Sequence, residues 1–227
     1  MNVAIIPARS GSKRIKNKNL TNFSGKPLIY YSIMAARKSG LFNKIIVSTD
    51  SLKIKKISKS LGAEVPFIRP KNLSGDKTIA QDVIKHTIKF LLKKKVRFTY
   101  VCCIYPTAPL IQINDIKRGL KKIKQGWNFV FSACKFEKSI LRSFILKRNK
   151  EIKFIKPNVI NKNSQELENT FFDAGQFYWA NKKNWLKKDL YFKKGTIVEI
   201  KPKFVQDIDH PKDLKILRRK FKKIKKF

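Results

Sequence analysis

A loop near the start of the chain has the residue types that bind polyphosphates. It follows a short apolar run at residues 3–6 and combines small residues with cations that include Arg9, Lys13, Arg14 and Lys18. Backbone N–H groups of small residues can approach oxyanions closely, and the cations supply countercharge. The alternative is a solvated basic turn in a lysine-rich protein, which is the common case for such clusters. Position favours phosphate binding, because ligands collect beyond the carboxyl ends of parallel strands.

A pair of carboxylates near the end of the chain is suited to a metal ion. Asp207 and Asp209 lie two residues apart in an extended segment, so their side chains are expected on one side. Mg²⁺ commonly binds one or two carboxylates together with phosphate oxygens. Alternatively, Asp209 caps a last helix whose first turn holds Pro211. A phosphate loop and a magnesium-competent pair together favour nucleotidyl transfer, so each strengthens the interpretation of the other.

A third feature is the pair Gly175 and Gln176 within an apolar, aromatic run at residues 171–179. Glycine in a strand lets a ligand lie against the backbone, and an amide both donates and accepts hydrogen bonds, which suits a polar sugar edge. A core strand rich in aromatic residues is the alternative, which Phe177 and Trp179 would satisfy equally well.

Two common phosphate-binding motifs are absent from the sequence. No GxGxxG follows the first apolar run, and Gly25-Lys26 is followed by Pro27 instead of Ser or Thr. The sequence therefore excludes a dinucleotide fingerprint and a Walker A loop.

The elements that must position these residues alternate between strand and helix. Strands are predicted at residues 3–6, 44–48, 65–68, 98–104, 128–133, 171–179 and 196–200. Helices are predicted at 27–39, 51–61, 78–94, 114–124 and from 211 onward. This alternation predicts an α/β fold with a doubly wound, mostly parallel, Rossmann-like sheet. A chain of 227 residues fits one such domain, spanning residues 1–227.

The regular alternation stops between residues 135 and 169, where the chain is polar and irregular. A connection this long within a compact domain is usually functional or ordered by a partner, so we expect a projecting arm. The alternative is a flexible surface insertion.

Composition bounds the possible partners. The formal charge of +38 would ordinarily indicate nucleic acid or an anionic membrane. Most of the 53 cations are lysines, however, and abundant Ile, Asn and Phe indicate A+T-rich codons, so we expect solvated surface charge and neither partner. A basic nucleic-acid-binding protein stays open as an alternative and predicts binding with a steep salt dependence.

The cysteine content and the lengths of the apolar runs indicate the cellular compartment of the protein. An odd number of cysteines without metal-ligand spacing predicts neither a disulfide framework nor a zinc site. No signal peptide and no apolar run of membrane-spanning length are found, so we expect a cytoplasmic protein.

The first loop also carries a family resemblance. The pattern PARxGSKRxxxKN matches at Pro7, Ala8, Arg9, Gly11, Ser12, Lys13, Arg14, Lys18 and Asn19. It resembles the sugar cytidylyltransferases, in particular those that activate nine-carbon acidic (nonulosonic) sugars. Residues 64–70, 105–109 and 173–179 resemble the pseudaminate branch of that family more than the sialate branch.

The resemblance implies a fold, a reaction and a set of site residues. The fold is the nucleotide-diphospho-sugar transferase type, with residues 135–169 as a dimerisation arm and therefore a homodimer. The reaction joins CTP and pseudaminic acid to give the CMP-sugar and pyrophosphate, and it requires Mg²⁺. The implied nucleotide-binding residues are Ala8, Arg9, Ser10, Gly11, Ser12, Lys13, Arg14, Asn19, Arg69, Asp76, Pro106 and Thr107. Sugar contacts are implied for Gln176, Tyr178 and Arg142, metal binding for Asp207 and Asp209, and catalysis for Arg9, Lys13, Asp207 and Asp209.

The same sequence features are compatible with other functions. A sialate, legionaminate or Kdo cytidylyltransferase would share the same motifs, and a dimeric scaffold without activity is a further alternative.

Overall fold

The computed structural model describes residues 1–187 and 194–224. The strands are β1 (Asn2–Pro7), β2 (Asn22–Phe23), β3 (Lys26–Pro27), β4 (Lys44–Ser48), β5 (Tyr100–Ile104), β6 (Phe129–Lys135), β7 (Phe144–Leu146), β8 (Ile152–Phe154), β9 (Phe171–Asn181) and β10 (Gly195–Glu199). The helices are α1 (Leu28–Ser39), α2 (Leu52–Ser60), α3 (Ala80–Lys93), α4 (Ile113–Lys124), α5 (Lys182–Leu186) and α6 (Pro211–Ile224). Parts of the predicted 1–227 domain, residues 188–193 and 225–227, lie outside the described residues.

Six strands form the central sheet in the order β10-β6-β9-β5-β1-β4. β1 pairs in parallel with β4 and β5, and β10 pairs in parallel with β6, whereas β9 runs antiparallel to both of its neighbours. The predicted mostly parallel α/β sheet is therefore confirmed. Strand β9 is antiparallel because no crossover helix precedes it: the chain leaves β6 and re-enters β9 at the same edge, where Lys135 pairs with Phe171.

Apolar side chains cover both faces of the sheet, as a doubly wound fold requires. One face packs Ile6 and Trp179 against α1 and α4, and the other packs Ile5 and Trp185 near α3. Gly119 in α4 permits this packing, since a Cβ there would lie 2.6 Å from Trp179 Cδ1. The run at 171–179 thus contributes to the core, as its aromatic content indicated.

A separate apolar cluster attaches α6 beside the first loop. It joins Phe23 of β2, Leu28 of α1 and Ile208 to Leu217 and Phe221 of α6, and Ile15 of the loop packs against it. The segment containing Asp207 and Asp209 is therefore held next to the cation-rich loop by apolar contacts.

Two details of the predicted elements were wrong. Residues 65–68 form no strand in the described structure; only Glu64 makes an isolated bridge to Ile46, because Pro66 and Pro70 lack N–H donors for a ladder. Pro27 was predicted as the first helical residue, but it is extended, with ψ 146°, pairs in β3, and precedes α1.

Residues 135–169 leave the carboxyl edge of the sheet and contain a hairpin of β7 and β8. Several large apolar side chains of this segment are exposed, including Phe144, Ile145, Leu146, Ile152 and Ile155, whereas Val159 is buried. Within the described residues, none of the helices has the length and apolar character needed to cross a membrane.

Candidate active site

The loop after β1 is pinned to its surroundings by backbone and side-chain hydrogen bonds. The Ala8 amide donates to the Ser48 carbonyl (2.9 Å), and the buried Asn19 amide side chain donates to the Arg9 carbonyl (2.8 Å). The Ser10 amide and hydroxyl donate to the two oxygens of Asp50, at 2.8 and 2.7 Å. The loop is therefore fixed in shape before any ligand binds.

The loop offers open space at its centre. No atom lies within 4 Å of the position that a Cβ on Gly11 would occupy. The Ser10 and Ser12 amides already donate to Asp50 Oδ1 and to the Ser10 carbonyl. Among residues 10–12 this leaves the Gly11 amide, which no side chain shields, for an approaching phosphate.

The cations of the loop point at carboxylates. Arg9 Nη1 and Lys13 Nζ each lie 2.6 Å from a different oxygen of Asp76, and hydrogen bonds from Lys13 and Arg9 hold the pKa of Asp76 below its usual value. Arg14 Nη2 lies 3.0 Å from Asp209 Oδ1. The structure thus brings Asp76, predicted among the nucleotide-binding residues, into direct contact with the loop.

A cleft of about 290 Å³ opens beside this loop. The predicted residues that line it are Arg9, Ser12, Lys13, Arg14, Asn19, Arg69, Pro106 and Thr107. Residues from the carboxyl ends of β1 and β5 therefore meet on one cleft, as the parallel arrangement predicts.

Arg69 is a buried cation on the wall of this cleft. Its residue is 4% exposed, its Nε and Nη2 have no hydrogen-bond partner among the described residues, and the nearest carboxylate oxygen, Asp50 Oδ1, is 4.0 Å from Nη2. Burial lowers the pKa of the guanidinium, with Asp50 opposing that effect. An unsatisfied buried donor is costly, so Arg69 is suited to an anionic or acceptor ligand.

A second cavity of about 230 Å³ adjoins the cleft and shares Lys18, Tyr105 and Thr107 with it. Its walls include Gly175, Gln176, Asp207 and Asp209. The two cavities together form one elongated groove with the cation-rich loop at one end.

Asp207 and Asp209 both line the second cavity, although their segment is irregular. Burial is the main cause that raises the pKa of Asp207, and the charges of Asp209 and Asp173 raise it further. Asp209 faces Arg14 and Lys18, while the cap of α6 is Asp213, whose Oδ2 accepts from the Asp209 and His210 amides. The capping alternative for Asp209 is therefore wrong.

The carboxylate pair fits a divalent cation. A carboxylate whose pKa is raised by desolvation and by neighbouring negative charge is stabilised by a nearby cation. Among the described residues, no group of three or more His, Cys, Asp or Glu side chains could hold a metal. Two carboxylates suit Mg²⁺ because it needs few protein ligands when phosphate oxygens complete its shell.

A bulge in β9 shapes the second cavity. Its register against β6 shifts between Phe131 and Ala133, so that several β9 residues oppose Ser132, whose Oγ accepts from the Gln176 and Phe177 amides. Gly175 has φ +61°, a conformation that favours glycine. The bulge turns Gln176 toward the cavity.

Tyr178 is not placed at the cavity, contrary to the expected sugar contact. Two residues after Gln176 it packs on the opposite side, 5% exposed, beside Tyr105, and its hydroxyl donates to Asp173 Oδ2 (2.8 Å). The bulge lies between the strand residues that pair with Phe131 and Ala133, so Gln176 and Tyr178 do not share one side of β9.

Arg142 also lies away from the groove of its own chain. It lines a separate hollow between the arm and the end of β6, together with Lys135 and Phe144. The expected sugar contact therefore has no counterpart within this single chain.

Two residues of the site were missed or undervalued. Asp50 was expected only at the start of α2, where Ser51 in fact caps the helix, yet Asp50 holds the loop. Its signal was its position after β4, at the same sheet edge as the loop.

Lys18 was noted only as countercharge. Its Nζ donates to the Ile208 carbonyl, and the residue lines both cavities. Burial lowers its pKa, and Asp209 opposes that effect.

Comparisons with known proteins agree with this arrangement. The model of the family described as Cytidylyltransferase matches residues 3–226. The pseudaminic acid cytidylyltransferase of Campylobacter jejuni subsp. jejuni serotype O:23/36 (strain 81-176) is 39% identical over 219 residues, covering 96% of this chain and 94% of that protein. The CMP-N,N'-diacetyllegionaminic acid synthase of Legionella pneumophila is 38% identical over 122 residues, about half of each chain (52% and 51%).

A solved structure supports the fold. The structure of CMP:2-keto-3-deoxy-manno-octonic acid synthetase complexed with CTP superimposes with a TM-score of 0.72, covering 98% of both chains at 16% sequence identity. At this identity the likeness shows a shared fold.

Proposed function

Because this chain belongs to the cytidylyltransferase family, we propose that it transfers the cytidylyl group of CTP to pseudaminic acid and releases pyrophosphate. The observation that carries this proposal is the elongated groove. It has phosphate-binding chemistry in the first cavity, and the carboxylate pair and the bulged strand together in the second. Such a groove can hold a nucleotide and a sugar acid end to end.

The proposed roles follow the position of each residue. Arg9, Lys13 and Arg14 neutralise the triphosphate, the electrostatic contribution expected to dominate phosphoryl-type transfer. The loop at residues 8–12 lies against the phosphates, with the Gly11 amide as a backbone donor, while Asn19, Arg69, Pro106 and Thr107 form the rest of the nucleotide cleft. The anomeric hydroxyl of the sugar attacks the α-phosphorus in line, and pyrophosphate leaves toward the cationic loop.

We propose that Asp207 and Asp209 hold a magnesium ion. When bound, Mg²⁺ would orient the α-phosphate and lower the pKa of the attacking hydroxyl. Asp209 is also contacted by Arg14, so the carboxylate pair and the loop are coupled before substrates bind.

The reaction is tested by pyrophosphate release. Purified protein with CTP and Mg²⁺ should release pyrophosphate only when a nonulosonic acid is added, with the highest kcat/KM for pseudaminic acid among pseudaminate, sialate, legionaminate and Kdo. Omission of the divalent cation is the control for each sugar. Preferred use of another sugar would overturn the substrate assignment, and no release with any of them would overturn the reaction.

Replacing Lys13 with Ala should raise the KM for CTP about 10- to 100-fold, because a charge-assisted hydrogen bond to phosphate contributes about 1.5–3 kcal/mol. Steady-state kinetics with CTP as the varied substrate measures this. Lys16→Ala is the matched control, since Lys16 is an exposed lysine of the same loop. An equal rise in both variants would mean that bulk charge, and not the Lys13 position, attracts the nucleotide.

We further propose that the chain is one domain of residues 1–227 that forms a homodimer through the arm at residues 135–169. Support comes from the exposed hairpin, where Phe144, Ile145 and Leu146 are 56%, 57% and 65% exposed. Contiguous exposed apolar side chains mark interaction sites. Arg142 lies in the same arm, and a partner's groove is where its predicted sugar contact would be made. Because CTP is a cytoplasmic metabolite, the proposed reaction also favours a cytoplasmic location.

The Leu146→Lys variant should be monomeric at concentrations where the parent protein is dimeric, because a charge would be buried in the dimer interface. Sedimentation velocity measures this. Leu52→Lys, at an exposed leucine on α2, is the control and should stay dimeric. A parent protein that is monomeric at all concentrations, or a dimeric Leu146→Lys protein, would contradict the assignment of the arm.

A further inference from the structure

Gln176 is almost completely buried, and all of its polar groups but one have partners. It is 3% exposed. Its backbone amide donates to Ser132 Oγ (3.2 Å) and its carbonyl accepts from the Tyr105 amide (2.9 Å). Its side-chain Nε2 donates to the Phe204 carbonyl (2.6 Å). Only Oε1 has no hydrogen-bond partner among the described residues.

The orientation of this amide is fixed by its neighbour. The Phe204 carbonyl can only accept a hydrogen bond, so the Gln176 side chain must turn its NH₂ group toward it. The unpaired atom is therefore an acceptor. A buried acceptor without a donor is costly, and this cost is removed when a ligand supplies a donor.

The second cavity has a polar side, which includes Lys18, Asp207 and Asp209, and an apolar side. Ala108, Pro109, Leu110, Ala174 and Phe204 contribute to the same cavity walls. A ligand group that combines one hydrogen-bond donor with a small apolar end fits this environment. An acylamido group has both, in its N–H and its methyl, whereas a hydroxyl has only the donor.

We propose that Gln176 determines sugar specificity by accepting a hydrogen bond from an acylamido N–H of the sugar, with the acyl methyl on the apolar walls. This proposal rests on the proposed cytidylyltransferase function and specifies one substituent of its sugar substrate. The enzyme should discriminate against sugar acids in which a hydroxyl replaces that acylamido group. A site built to pair a polar group rejects ligands that leave it unpaired.

The test compares two sugars with each enzyme variant. The first is the nonulosonic acid with the highest turnover. The second is a derivative in which a hydroxyl replaces one acylamido group, and a separate derivative is used for each acylamido position. For at least one position the parent enzyme should prefer the acylamido sugar about 10- to 100-fold in kcat/KM. Gln176→Met, which is similar in volume, should reduce that preference to about fivefold or less without changing the KM for CTP.

Gln206→Met is the matched control, because Gln206 lines the same cavity but donates to the Asp207 carbonyl. It should keep the sugar preference of the parent. If Gln176→Met lost kcat/KM equally for both sugars, the role of Gln176 would be purely structural. If the variant kept the sugar preference of the parent, Gln176 would not recognise the substituent. Either result overturns the proposal. A parent enzyme that turns over no sugar with CTP would instead overturn the proposed function.

Discussion

The Asp207→Asn variant is expected to lose about 1,000-fold in kcat and to unfold at a slightly higher temperature than the parent protein. The loss follows because a carboxylate that holds a divalent cation at a reacting phosphate contributes several kcal/mol to the transition state. The gain in stability follows because partial desolvation, and after it the charges of Asp209 and Asp173, raise the pKa of Asp207, so that the neutral amide of Asn is better tolerated there than the carboxylate.

The pH dependence of this stability effect has a definite sign. A carboxyl group with a raised pKa binds more protons in the folded than in the unfolded state, so its ionisation destabilises the fold. The penalty develops as pH rises from the unfolded value of 3.8 through the raised folded pKa. The melting temperatures of Asp207→Asn and the parent should therefore coincide below that window and diverge above it.

Steady-state kinetics at saturating Mg²⁺ and thermal melts without divalent cations at pH 3.5 and 7.5 measure the two effects. Asp82→Asn, at the start of α3, removes a carboxylate away from the groove and should change neither quantity. An unchanged kcat in Asp207→Asn would remove Asp207 from the mechanism. If Asp207→Asn melted at a lower temperature than the parent at pH 7.5, the ionised Asp207 side chain would not destabilise the fold.

Replacing Arg69 with Leu should weaken CTP binding about 100-fold while leaving the protein at least as stable. The guanidinium is 4% exposed with two unpartnered nitrogens, so its burial carries a desolvation cost that an apolar side chain avoids. Binding should suffer because, in the proposed CTP complex, these nitrogens would donate to the nucleotide, and each charge-assisted bond contributes about 1.5–3 kcal/mol.

Calorimetric titration with CTP and a thermal melt test this combination. Arg69→Lys keeps the charge without the planar fork and should bind CTP with intermediate affinity. Arg37→Leu is the control, because Arg37 is bonded to the Leu61 carbonyl on the surface. Unchanged CTP affinity in Arg69→Leu would place the nucleotide elsewhere, and a large drop in melting temperature would make Arg69 a structural residue.

The sequence was sufficient for most of the sheet and for the motif residues of the groove. Strand β4 and the helices are marked by apolar periodicity and by turn residues such as Ser51 and Gly40. Arg9 and Asp207 line two adjoining cavities, and each belongs to a short motif whose residue types indicate its chemistry. Local patterns of this kind can be detected without knowing the fold.

Features that depend on long-range pairing could not be predicted. The family resemblance implied sugar contacts for both Gln176 and Tyr178, but Ser132 on another strand fixes a bulge beside Gln176, and Tyr178 packs away from the cavity. At residues 65–68 the apolar pattern predicts a strand, whereas the neighbouring prolines lack the N–H groups that a strand ladder needs. The link from Asp50 to Ser10 joins residues 40 positions apart, and nothing in either local sequence specifies it.

The contact of Asp76 with Arg9 and Lys13 has a consequence for how the nucleotide is captured. Without a ligand, this carboxylate offsets the mutual repulsion of the two cations and keeps the loop in its bound shape. Binding of the triphosphate is then an exchange of one anion for another, so part of its electrostatic gain is cancelled by the broken ion pairs. CTP affinity should consequently depend on ionic strength less steeply than the number of cations around the groove suggests.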